Sequence, residues 1–306
     1  MTKTHHRIIL AAWAVILITC VVIFWGRLFP SRGEGPGPAS AGNGPPPVAV
    51  ADQLGSPPTA SAQERLEQAI KACNPVYNGG GQFVERDGKI LIAVLSNAGV
   101  TDLTPLAGLQ LEALDVSDNP LTDLSPLKGL PLHRLGLEGT KVADLTPLAG
   151  MPLAELYMNR TPVRDLSPLK GMPLQVLNLL GTGVQDLSPL AGMPLQSLWL
   201  NGTGVKDISP LRGCPLVSLT LERTNVADLA PLAGSKLERL HIGQTPVTDL
   251  TPLAGLPLTR LIFTPAKITR GLEVVQHMTS IHELGTSLAD RMPPTVFWRL
   301  YSKAQQ

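Results

Sequence analysis

The sequence predicts an α/β solenoid: about nine coils of 21 residues wound over one shared apolar interior, with helical segments closing both ends. Three observations predict it. From residue 90 to residue 264 the chain repeats itself at a fixed interval of 21 without insertion. Within nearly every copy, apolar residues recur at the first, fourth, sixth, eleventh, fourteenth, seventeenth and usually the twentieth place. Aromatic residues make up only 4% of the chain, against 29 glycines and 29 prolines, so the interior must be built from aliphatic side chains.

Taken in order, residues 1–7 (MTKTHHR) form a short basic head. Residues 8–25 (IILAAWAVILITCVVIFW) carry no charge, and eighteen helical residues nearly match a hydrocarbon core of about 30 Å. An uncleaved single-pass membrane anchor is expected. A cleaved signal peptide would be shorter, with a small-residue site soon after it, and here GRLFPSRGEG follows. A lipoprotein reading of LITC at 17–20 meets the bulk of Thr19 and an apolar run that continues past Cys20. The flanking charges lean toward an inside amino terminus, which would put the rest of the chain on the extracytoplasmic side. Residues 26–60 are rich in Pro, Gly, Ala and Ser with no apolar period, and are expected to be a disordered linker.

Residues 61–89 are expected to cap the array at its amino-terminal end. Ser61–Ala72 is amphipathic, with Leu66, Ala69 and Ile70 on one face, and NPVYNGGGQFVERDGKI turns into a strand. In the copy PLQVLNLLGTGVQDLSPLAGMP, Leu177 and Leu179 flank one variable residue, which is strand alternation. Thr182 and Gly183 turn the chain. Ser188 is expected to cap a short helical turn with Pro189 at its first position, and Gly192 to end it. Residues 265–306 form the second cap, in which Val274, Val275, Met278, Phe297, Trp298 and Leu300 are expected to seal the last coil. One coil cannot bury enough surface to offset the entropy of ordering it, so stability belongs to the stack.

The string DLSPLKGMP and its variants, with L-x-x-L-x-L before them, resemble the leucine-rich repeat in a short form, usually with Thr in the ninth place where Asn is common. The copies look like internalin-type repeats, and closer still like bacterial 21-residue arrays of surface and signalling proteins, some carried behind serine/threonine kinase domains. The resemblance covers about residues 62–303. It implies a curved solenoid with a parallel β-sheet on its concave face, used mainly to bind proteins.

Other function classes find little support. With 25 Lys+Arg against 24 Asp+Glu, the chain lacks the basic field of a nucleic-acid binder. Glycine-rich phosphate loops and kinase strings are missing, no nucleophile–base set stands out from the repeat, and no enzyme is expected. The column Asp102, Asp123, Asp144, Asp165, Asp186, Asp207, Asp228 and Asp249 is expected to bond turn amides. His133, His241, His277 and His282 lack zinc-ligand spacing, so neither metal nor cofactor is expected. Cys73 and Cys214 lie several coils apart, too far for a disulfide.

Function should sit where the repeat does not dictate the residue, at the third, fifth and seventh places, which the resemblance puts on the concave face. Tyr157 and Trp199 are the sole Tyr and Trp of the repeats and share the fifth place, with Asn178 between them. Leu180, Asn159 and Asn201 lie beside them, with Arg134 and Glu155 on one flank and Arg239 and His241 on the other. Tyr, Trp and Arg anchor many interfaces, so these ten residues are the candidate site for a protein or peptide ligand. Rival readings are a structural envelope or adhesion spacer and a regulatory partner of a separately encoded serine/threonine kinase.

Overall fold

The computed structural model describes residues 60–304. The expected anchor at 8–25 and almost all of the expected linker lie outside the described residues. Among the described residues no helix is long and apolar enough to cross a membrane.

Helix α1 spans Ala62–Cys73. Ser61 accepts the Glu64 amide and Glu64 accepts the Ser61 amide, a reciprocal capping box that fixes the start. Leu66, Ala69 and Ile70 are buried, as the periodicity predicts. Two strands follow rather than one: β1 (Gln82–Arg86) and β2 (Lys89–Val94) form an antiparallel hairpin. Asp87 and Gly88 make its turn at φ 51° and 70°, the left-handed pair that a two-residue hairpin requires.

From β2 onward the sheet is parallel and follows chain order through β3 (Ala113–Asp115), β4 (Arg134–Gly136), β5 (Glu155–Tyr157), β6 (Val176–Asn178), β7 (Ser197–Trp199), β8 (Ser218–Thr220), β9 (Arg239–His241), β10 (Arg260–Ile262) and β11 (Glu283–Gly285). Leu114, Leu135, Leu156 and Leu177 pair in turn, so each coil lies on the last in the register of the repeat. This is the predicted solenoid. Its interior is one cluster running from Leu66 to Phe297, with the repeating Leu, Val and Met side chains almost wholly excluded from solvent.

Each coil also carries a three-residue 3-10 turn such as Ser188–Leu190. Ser188 does not cap this turn as expected. Ser188 opens the turn, Pro189 comes second, and Leu187 precedes it with no side-chain cap. Asp186 does the capping instead: Oδ1 accepts the Ser188 amide at 2.8 Å and Oδ2 accepts its hydroxyl at 2.7 Å. The same aspartate-to-amide bond recurs in the other coils, for example Asp144 to Thr146 at 2.8 Å and Asp249 to Thr251 at 2.8 Å.

The ninth place explains the Thr-for-Asn exchange. Thr140, Thr161, Thr182, Thr203, Thr224 and Thr245 are buried, each donating its hydroxyl to the carbonyl three residues back at 2.7 Å. Asn119 reaches further. It accepts the amides of Ala98 and Val100 and donates to Leu95 and Val116, stitching two coils together where Ala98 has no polar side chain.

The C-terminal segment holds α2 (Leu272–Gln276), then β11, then α3 (Pro294–Ala304). Strand β11 was not anticipated; Ile281 and Leu284 reproduce the apolar spacing of a coil after a longer excursion, with Arg260 pairing Glu283. Phe263 and Phe297 are buried with ring centroids 5.7 Å apart, and Trp298 meets Phe297 edge-on at 5.2 Å. Leu300 does not seal the coil as expected: it is 51% exposed, on the solvent side of α3. Val274 is only partly buried, whereas Val275 and Leu272 pack that helix against the core.

Candidate functional site

The third and fifth places are the two ends of each three-residue strand, and the seventh follows two residues later. Their side chains share the face opposite the core because the fourth-place leucine between them points inward. Tyr157, Asn178 and Trp199 pair successively across β5, β6 and β7. They therefore form a row with about 4.8 Å between neighbours.

The amino-terminal half of this face is internally bonded. Tyr157 donates its hydroxyl to Glu155 Oε2 at 2.9 Å, and Arg134 Nε lies 3.5 Å from the same oxygen. The Arg134 guanidinium sits 5.2 Å from the centre of the Tyr157 ring. Burial, and then the Glu155 charge, push the Tyr157 phenol well above the ordinary tyrosine range. Asn178 Oδ1 accepts the Leu180 amide at 3.1 Å, and the Leu180 side chain is 37% exposed beside it.

The carboxy-terminal half is different. Asn201 Nδ2 lies 3.5 Å from Glu222 Oε2, and the same carboxylate oxygen is 3.9 Å from His241 Nε2. His241 is buried, 3% exposed, so it is a floor rather than a surface contact. Burial pushes its imidazole toward the neutral form, and the Glu222 charge only partly opposes this. Both ring nitrogens, Asn201 Oδ1 and Thr220 Oγ1 are buried without a hydrogen-bond partner; in the amino-terminal half Asn159 Oδ1 is likewise buried and unpaired. Arg239 pairs locally with Glu238 at 3.6 Å.

The ten sequence-selected residues thus share one face but not one cluster. Arg134, Glu155 and Tyr157 form a bonded group; Asn178, Leu180 and Trp199 continue it; Asn201 and His241 converge on Glu222. Sequence reasoning passed over Glu222 and Thr220. Their signal was present, since Glu222 shares the seventh place with Asn201 and Thr220 shares the fifth with Trp199. Among the described residues no group of three or more His, Cys, Asp or Glu is arranged to hold a metal ion. Cys73 and Cys214 form no disulfide.

No protein-family model and no curated protein sequence matches the chain. Solved structures do. Internalin C2 of Listeria monocytogenes is 32% identical, the match covering 65% of this chain and 92% of that one with a TM-score of 0.57. An internalin, InlF, of the same organism is 27% identical over 72% of this chain and 73% of its own, with a TM-score of 0.55. With its repeat, its register and these likenesses, the chain belongs to the internalin-type leucine-rich repeat proteins.

Proposed function

We propose that the chain is a non-enzymatic recognition module whose concave face binds a protein or peptide. One observation carries the reading. The interior and turns use up the repeated residues, and the side chains left over stand in register on one face, with Tyr157 and Trp199 two coils apart in a single row. Large aromatic side chains with polar neighbours supply contact area at small entropic cost, which is what interface hot spots require. Residues 8–25 would tether the module to a membrane, with the repeats extracytoplasmic.

Affinity capture with the full chain tests the reading. A partner retained by the parent and lost in Tyr157→Ala plus Trp199→Ala supports it, and a double variant with undiminished binding refutes the assignment. Protease digestion of intact cells tests the topology: repeats degraded without lysis agree with it, and repeats protected until lysis oppose it.

A further inference from the structure

Glu222 stands at the centre of an incomplete polar group. Its carboxylate is partly exposed, with 25% of the side chain open to solvent, and its polar contacts among the described residues are all long, 3.5 to 4.0 Å. Asn201 Nδ2 approaches only to 3.5 Å and His241 Nε2 to 3.9 Å. Arg223 keeps its Nε 4.0 Å from Glu222 Oε1 and donates instead to Gln244 Oε1 at 2.9 Å. Around the carboxylate, Asn201 Oδ1, Thr220 Oγ1 and both nitrogens of His241 lack partners although buried.

The register sets these groups side by side. Trp199, Thr220 and His241 pair in sequence across β7, β8 and β9, and Asn201 and Glu222 lie two residues beyond the first two. What is unsatisfied is chiefly acceptor capacity: a carboxylate, an amide oxygen, a hydroxyl oxygen and one nitrogen of a neutral imidazole. Trp199 pairs with Thr220 on the neighbouring strand. A group that brings several N–H donors, a positive charge and no acceptor fits that set, and a guanidinium or ammonium is such a group.

We propose that Glu222, with Asn201 and Thr220 beside it and His241 beneath, receives an arginine or lysine side chain of the partner, which packs against Trp199. This rests on the concave-face reading above and adds the chemistry of the partner to it. The contrast with the other half of the face supports it. There Glu155, a third-place carboxylate beside the aromatic row, is already met by this chain's own Arg134 and Tyr157. At Glu222 this chain's Arg223 stands off at 4.0 Å and bonds Gln244, which leaves the carboxylate open to a partner's cation.

Random-peptide display on the full chain tests the proposal, followed by binding measurements on the selected peptides. Binders should contain a required Arg or Lys. Replacing that Arg by citrulline, or the Lys by acetyl-lysine, should weaken binding roughly tenfold, as should Glu222→Gln on this chain. Binders that depend on Tyr157 and Trp199 yet ignore both changes would overturn the cationic subsite and leave the concave-face reading standing. Binders indifferent to Tyr157→Ala and Trp199→Ala as well would overturn both. The citrulline and acetyl-lysine peptides need no substitution in the protein, so the outcome does not depend on how Glu222→Gln folds.

Discussion

Tyr157 and Glu155, two residues apart on one strand, hold each other in place through a hydroxyl–carboxylate bond of 2.9 Å. The bond orders the largest polar side chain of the face before any ligand arrives, which lowers the entropic cost of binding. It also leaves a titration signature. Burial is the main cause of the raised phenol and the Glu155 charge the next. In absorbance titrations, the difference between the parent and Tyr157→Phe should show a tyrosine ionising above the usual value of about 10. Glu155→Gln should bring it partway down.

Asn119 is expected to be the most sensitive polar residue of the array. Its side chain joins two coils through five bonds to backbone groups, and no water can replace them easily because the residue is only 2% exposed. Asn119→Ala should cost about 2–4 kcal/mol in urea unfolding. The amides of Ala98 and Val100 should exchange faster while those near Leu219 do not, since coupling in a solenoid runs mainly between neighbours. Uniform loss of protection along the chain would contradict this.

The aspartate column predicts acid sensitivity. At Asp123, Asp144, Asp165, Asp207 and Asp249 the hydroxyl of the residue two places on holds the carboxyl below its ordinary value, and that residue's amide adds to it. At Asp186 the amide is the larger cause. Lowered folded-state values mean that the stabilisation is complete above the unfolded value near 3.8 and disappears as pH falls through the folded one. Asp144→Asn should therefore differ from the parent in urea midpoint at about pH 7 and converge with it below about pH 3. A gap that stays constant with pH would mean that the charge is irrelevant.

The fold was legible because the repeat is redundant: an apolar place missing from one copy is supplied by the next, and the period alone fixes the register. The departures lie where redundancy ends. The Arg86–Lys89 hairpin had a usable signal in Asp87-Gly88, which was absorbed into a longer strand. Strand β11 was hidden by a longer last coil, so Ile281 and Leu284 fell out of phase with the period. Asn74 could not be seen at all. Its buried side chain caps α1 through Ile70 and also clasps the Thr101 and Asp102 amides, a contact that exists only once the helix lies against the first coil. On the concave face, place in the repeat decided which side chains share a surface. It could not tell that Glu155 would be met from within while Glu222 would stay open, because that depends on side-chain reach: Arg134 faces Glu155 across the paired strands, whereas the places flanking Glu222 hold Asn201 and Gly243 and its neighbour Arg223 turns to Gln244.

His241 predicts a second pH effect, at the other end of the scale. Its ring is buried beside Thr220 and Glu222, with neither nitrogen bonded, and desolvation lowers its affinity for a proton more than Glu222 raises it. The unfolded chain protonates near 6.5, where the folded protein does not. Stability is thus complete above that value and declines as pH falls through the lowered folded value, the unfolded state then binding the extra proton. Because Glu222 is the nearest charge, it should moderate the decline, and Glu222→Gln should steepen it. His241→Leu should abolish it, leaving an unfolding midpoint that changes less between about pH 7 and pH 5 than the parent's. The same variant removes two unpaired polar atoms, so at neutral pH it should be no less stable than the parent wherever the leucine fits the space. Should His241→Leu keep the parent's full slope over that interval, the slope would belong to other groups and the imidazole would take up its proton alike in the folded and unfolded chain, contrary to a ring held neutral by burial.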